Sequence, residues 1–461
     1  MFEKYFKVRE NGSDVRTEVI AGFTTFITMA YIIFVNPNIL GQTGLNTNAV
    51  FVATCISAAI GTLVMSLYAN LPFALAPGMG LNAFFTYTVC MQMKYTPKQA
   101  LAAVFLSGIL FIVITLFGLR QAIVKSIPNT LKHSMTAGIG LFIAFIGFLN
   151  AGIVKIDKGS MLPKFGDFTL GFQSLGSDVN LNKDIIASRG ALLAIIGLVI
   201  IGILLARKVK GAVIIGIVST TILSFLFKVV DLSTFKFSVN SFTLDLFNFD
   251  FGGLFKLHQN QGILALLVSV FGVVITFTIV DMFDSIGTFV GLADKAGILT
   301  KDGDVPRMDR ALMSDAVATT VGAIFGTSTV TTYIESAAGI EEGGRTGLTS
   351  LVTGILFILA LIIAPFIGLV PSQATAPALI AVGVMMMSSV KKIDFGNFEE
   401  ALPAFITIVG MPFSYSIANG IAAGIIFYVL MKVLRGKAKE VNAITYILAL
   451  LFIIRFAIIP H

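Results

Sequence analysis

The chain has 461 residues, of which 56% belong to the set AVILMFWYC and only 12% are charged; the formal net charge is +7 and the mean hydropathy is +0.92. A soluble domain carries about 25% charged residues, so this composition excludes a water-soluble enzyme, a nucleic-acid-binding protein and a disordered chain. In so apolar a chain, excess Lys and Arg belongs in cytoplasmic loops and does not imply an acidic partner.

Along the chain, residues 1–18 are polar and charged, so no cleavable signal is expected. A helix needs about 20 apolar residues to cross the hydrocarbon core. On that measure spans are predicted near 18–40, 49–69, 71–93, 99–118, 133–153, 189–206 and 211–230. A second series follows near 262–286, 311–326, 328–343, 347–370, 375–390, 399–411 and 414–434. One more apolar stretch, 443–459, contains Arg455, which favours an interfacial or buried segment and leaves a fifteenth crossing open. With the N-terminus in the cytoplasm, most of the 32 Lys and Arg fall in inside segments, among them Arg207, Lys208, Lys210, Lys295, Lys301, Arg307, Arg310, Lys391 and Lys392.

The two series have seven spans each, so the second enters from the opposite side, the inverted-repeat plan of many secondary transporters. The fold class expected is therefore an all-α polytopic membrane protein of 14 transmembrane segments in two inverted repeats. Each half also carries a break at its third span. Residues 70–83 hold Pro72, Pro77, Gly78 and Gly80 within nine positions, and proline lacks the amide a helix needs. Residues 327–333 are Thr, Ser, Val and Tyr, which favour extended chain, and a short helical run begins near Glu335. Spans 3 and 10 are thus expected to be half strand and half helix. Extended backbone at membrane depth is tolerated only where protein buries it or a cavity borders it. Two such segments can pair, with their half-helices aiming N–H groups at a common centre suited to a polar ligand.

Ionisable residues inside spans are costly, about 2.5–3.5 kcal/mol at a helix centre, so each is informative. Asp281 and Asp284 lie three apart and should share a helix face. Both, like Asp315 after the basic loop, could instead cap a helix or pair with a basic residue. Glu341 and Glu342 are expected to pair with nearby Arg345. Glu335 has no basic neighbour in sequence and stands at the break, which favours function. Asn82 is expected to line the centre, with backbone hydrogen bonding as its alternative. Gly78 and Gly80 suit either ligand approach or close helix packing. The run Met385–Met387 reads as lipid-facing or core filler. No Arg or Lys is expected at the cavity. Cys55 and Cys90 sit in apolar runs and His133, His258 and His461 are scattered, so no disulfide, metal site or cofactor is expected. Carboxylates, an amide and free N–H groups suit a planar heterocycle. A carboxylate in a low-dielectric cavity can take a proton near neutral pH, which would couple uptake to a proton gradient.

Five motifs carry a family resemblance: residues 16–37 from Arg16 through Gly22, Thr28, Tyr31, Asn36 and Pro37; residues 76–83 (APGMGLNA); residues 281–288 (DMFDSIGT); residues 331–340 (TTYIESAAGI); and residues 415–421 (YSIANGI). Together they resemble the adenine/guanine/hypoxanthine permease branch of the nucleobase–cation symporters, over about residues 14–459. The resemblance implies a uracil-permease-like fold. Its core domain would comprise residues 14–118 (spans 1–4) and 262–370 (spans 8–11). Its gate domain would comprise 119–231 (spans 5–7) and 371–461 (spans 12–14 plus the apolar segment), with 232–261 as an extracellular connection. The span-8 acid maps to Asp284, with Asp281 one turn away, the span-10 acid to Glu335, and the span-3 residues to Gly80 and Asn82. Ala76, Thr28, Ser336 and Ala337 follow as substrate-binding positions, and Glu335, Asp284, Asp281 and Asp315 as candidates for the coupling proton.

The activity implied is proton-coupled import of a purine base across the cell membrane by alternating access. The partners are then the base, the proton and the lipid bilayer, with no nucleic acid; a homodimer is left open. Alternatives are a uracil or xanthine permease or an anion exchanger of the same fold. A membrane prenyl transferase would need Asp-rich metal motifs, whereas loop 294–310 interleaves Asp294, Asp302, Asp304 and Asp309 with Lys and Arg.

Overall fold

The computed structural model describes residues 2–117, 127–157, 163–174, 183–230, 242–256, 263–299 and 305–458. His258, His461, Lys301, Asp302 and Asp304 lie outside these residues, as does half of the connection 232–261. The protein is mostly helical. Among the described residues, eight segments are long and apolar enough to cross a membrane: Val15–Gly41, Thr47–Ala69, Pro97–Leu116, Asn129–Asn150, Lys183–Ala206, Gly347–Leu369, Ser372–Lys392 and Ile417–Leu434. Ala212–Leu226, Ser269–Met282 and Ala443–Ala457 are shorter apolar helices. Large apolar side chains such as Leu116, Leu226, Ile362, Phe413 and Leu434 point outward and exposed. An aqueous surface would not carry them so densely; a lipid surface does.

Local chemistry sets the helix starts. Thr96 and Gln99 form a capping box before Pro97. Asn46 accepts the amides of Asn48 and Ala49 at the head of Thr47–Val64. The predicted span 262–286 runs further than expected, as one 33-residue helix, Ile263–Lys295. Gly287 does not end it, because a lone glycine costs a helix only about 1 kcal/mol.

Both expected breaks are present. β1 (Leu75–Pro77) pairs antiparallel with β4 (Val330–Thr332), with Leu75 opposite Thr332, Ala76 opposite Thr331 and Pro77 opposite Val330. The second pair, β2 (Val154–Ile156) with β3 (Pro163–Phe165), is a separate and more exposed ladder. Strand β1 is wholly buried, so its backbone must be satisfied from both sides. Gly78 N donates to Thr329 O and Tyr333 N to Ala74 O, each at 2.9 Å, extending the ladder at its two ends. On the outer edge, Leu75 N donates to Thr62 Oγ1 (2.9 Å) and Thr62 Oγ1 donates to Leu75 O (3.1 Å). Helix Met79–Ala83 starts directly after β1 and helix Ser336–Glu341 just after β4.

Candidate functional site

Thr331 and Thr332 of β4, with the residues that follow β1, border a cavity of about 610 Å³. Its walls come from several parts of the chain that lie far apart in sequence. Thr28 and Tyr31 enter from the first apolar segment, and Gly78, Met79 and Gly80 follow β1. Asp284, Thr288, Gly291 and Lys295 lie at spacings of four, three and four along one helix, hence on one face. Tyr333, Glu335, Ala337, Ala338 and Glu341 line it from the opposite break, while Met385, Met386, Lys392 and His133 close the far side.

Glu335 is the best-defined polar group. It is half-buried, and its Oε1 accepts the Tyr31 hydroxyl at 2.5 Å. Tyr333 donates its hydroxyl to Pro77 O at 2.6 Å, tying one break to the other. The Tyr31 and Tyr333 rings stand 6.5 Å apart, centre to centre. Ser285 Oγ and Thr331 Oγ1 are 2.9 Å apart and fasten the Asp284 helix to β4. Both acids are therefore presented by backbone held in place at several points.

Of the sequence candidates, Thr28, Gly80, Asp284, Glu335 and Ala337 line this cavity. Ala76, Asn82, Ser336, Asp281 and Asp315 do not. Ala76 is fully buried within β1 opposite Thr331. Ser336 Oγ accepts the amide of Ala74 at 3.0 Å. Asn82 Oδ1 accepts the Ser328 hydroxyl, locking the half-helix against the lead into β4. Asp281 and Asp284 part company: Asp284 borders the cavity, whereas Asp281 turns into the protein and accepts Thr319 Oγ1 at 3.0 Å. Asp315 accepts Thr332 Oγ1 at 2.9 Å from the buried side of β4. Gly78 and Gly80 do both jobs proposed for them. They border the cavity, yet a methyl on either would stand 2.6 Å from a neighbour, Thr331 Cγ2 or Ile139 Cγ2 respectively.

Two expectations are corrected. Lys295 and Lys392 do line the cavity, at its mouth: the helix face bearing Asp284 continues for eleven residues, about 16 Å, before reaching Lys295. Met386 and Met387 pack against the buried core, as the filler reading has it, and Met385 and Met386 also border the cavity. Glu341 pairs with Lys295 (2.5 Å) and Glu342 with Lys210, not with Arg345. Arg345 instead donates to the carbonyls of Ile340 (2.6 Å) and Gly344 (2.9 Å). Tyr31 and Tyr333 were missed as site residues. The available signal was a phenol inside an apolar run, since a buried Tyr hydroxyl usually finds a partner.

Residues 16–424 match the family model described as Permease family. The chain belongs to this Permease family. It is a membrane transporter and not an enzyme. Among similar permeases, adenine permease AdeP of Escherichia coli (strain K12) is 42% identical over 459 residues, covering 100% of this chain and 96% of that protein. Guanine/hypoxanthine permease PbuO of Bacillus subtilis (strain 168) is 39% identical over 468 residues, covering 98% and 100% respectively. The transmembrane domain of the cyanobacterial bicarbonate transporter BicA superposes with a TM-score of 0.62 at 16% identity, covering 89% of this permease and 97% of that chain. That likeness concerns the fold alone.

Proposed function

We propose that this permease imports purine nucleobases by alternating access, coupled to protons. The observation that carries the reading is that Asp284 and Glu335, from two different elements, border one cavity that residues of both breaks also line. Relatives named for adenine and for guanine/hypoxanthine, at 42% and 39% identity over nearly full length, support a purine. Carboxylates accept ring and exocyclic N–H groups, and the low-dielectric surroundings let an acid take and release a proton during the cycle.

In this reading the chain has fourteen crossings in two inverted halves. The matching order of strand, then helix, after residues 74 and 329 supports that symmetry. Residues 14–118 and 262–370 form a core that carries the base, and 119–231 with 371–461 form a gate against which it moves. With the N-terminus cytoplasmic, the mouth bearing Lys295 and Lys392 opens inward. Glu335 and Asp284 hold the base, and one of them carries the proton. Asp281 and Asp315 act behind the strands, as relay or as structure.

The test is uptake of labelled hypoxanthine, adenine and guanine into proteoliposomes under an imposed pH gradient. Saturable accumulation that a protonophore collapses is expected, and Glu335→Gln should abolish it. Unchanged uptake in that variant counts against the site, and accumulation indifferent to the protonophore counts against proton coupling.

A further inference from the structure

We propose that Tyr31 is a specificity-determining residue that biases the cavity toward adenine over guanine. The proposal rests on the purine reading above and deepens it. The Tyr31 hydroxyl donates to Glu335 Oε1 at 2.5 Å, and both residues line the cavity. One oxygen of the acid is thus already engaged, and a phenol ring stands beside that edge. Glu335 therefore offers an incoming base chiefly its second oxygen.

The purines differ in what they ask of a carboxylate. Guanine presents two adjacent donors, N1–H and the 2-amino group, which match both oxygens of a carboxylate side by side. On the corresponding edge adenine presents one donor, the 6-amino group, next to a ring acceptor and needs only one oxygen. A carboxylate with one acceptor site of Oε1 engaged and a phenol crowding that oxygen keeps most of its value for adenine and weakens the paired geometry that favours guanine. The engaged acid is also rigid. Tyr31 is almost fully buried, and Glu335 lies three residues past strand β4 and two past Tyr333, whose hydroxyl is fixed to Pro77 O. Rotating Glu335 to free both oxygens would break the phenol bond inside the protein, where an unmade bond is costly.

The experiment is competition of labelled hypoxanthine uptake by unlabelled adenine and guanine, in proteoliposomes of wild type, Tyr31→Phe and Tyr31→Met. Thermal melting in detergent establishes which variants fold. Wild type should be inhibited more tightly by adenine. In a folded variant the ratio of the guanine to the adenine inhibition constant should fall about fivefold, the worth of roughly one net hydrogen bond. A purely structural role would weaken both bases alike and leave the ratio alone. An unchanged ratio, tighter inhibition of wild type by guanine, or failure of both variants to fold overturns the proposal. Wild-type protein without saturable hypoxanthine uptake sensitive to either base would instead overturn the purine reading itself.

Discussion

Glu18 and Thr349 are 331 positions apart in sequence, yet Thr349 Oγ1 donates to Glu18 Oε2 at 2.6 Å inside the protein. The same carboxylate accepts the amides of Arg345 (2.9 Å), Thr346 (3.3 Å) and Thr349 (3.1 Å). Glu18 thereby caps the start of helix Gly347–Leu359 from another helix, Val15–Met29, meeting donors that the helix cannot satisfy itself. Helix Val15–Met29 also packs against the short helix after Glu335, with Gly339 set against Ala21 and Thr25, so this contact helps hold that break.

Replacing Glu18 by Ala leaves those donors buried without an acceptor. A loss of about 2–4 kcal/mol is expected, from several hydrogen bonds to a charged group less local relaxation. Thermal melting of the purified variant checks this. A melting temperature within a degree of wild type would show that another group caps the helix.

Asp284→Asn and Glu335→Gln should each weaken purine binding by tenfold or more, roughly the worth of one hydrogen bond to a charged group. Asp281→Asn and Asp315→Asn should leave equilibrium affinity within about threefold, since neither residue lines the cavity and their bonds run to Thr319 and Thr332. Calorimetric titration of all four variants separates the pairs. A large affinity loss in Asp281→Asn would put that residue back among the ligand contacts.

Gly339 sits in the short helix that follows Glu335. A methyl there would lie 2.1 Å from Thr25 Oγ1 and 2.5 Å from Ala21 O, and backbone cannot step aside cheaply. Gly339→Ala should push the helix off Val15–Met29, move Glu335 relative to Tyr31, and cost about 1–3 kcal/mol. Uptake kinetics should show a raised KM alongside lowered stability. A variant with wild-type KM would mean that the break absorbs the shift without moving the acid.

Lys295–Glu341 at the cavity mouth is exposed on both sides, with 41% and 62% of the side-chain surface accessible. Exposed ion pairs contribute about 0–1 kcal/mol and are screened by salt. Glu341→Gln should therefore leave the melting temperature nearly unchanged. A drop of several degrees that persists at high salt would contradict that reading.

The two breaks were legible because proline and glycine act locally: Pro77 cannot donate to a helix wherever it lies, and Thr, Ser and Val favour extended chain at 327–332. Glu335 was legible because a carboxylate in an apolar run is costly unless used. The helix continuing past Gly287 was not, since the glycine penalty is small enough for packing to override. Nor were the partners of Glu341 and Glu342, because Lys295 and Lys210 are brought near only by the fold.

By itself, then, the order of residues determined that this chain crosses a membrane repeatedly, that it breaks twice, and that acids stand at or near the second break. Those features follow from hydrophobic run length and backbone chemistry, which act over a few residues. Only the tertiary structure decided which acids face the cavity. Asp281 and Asp284 are three positions apart and look equivalent in sequence, but the bond with Thr319 draws the first inward and leaves the second on the open face. The pairing of Tyr31 with Glu335, 304 positions away, was likewise decided there, because a hydrogen bond depends on distance in space and not on distance along the chain.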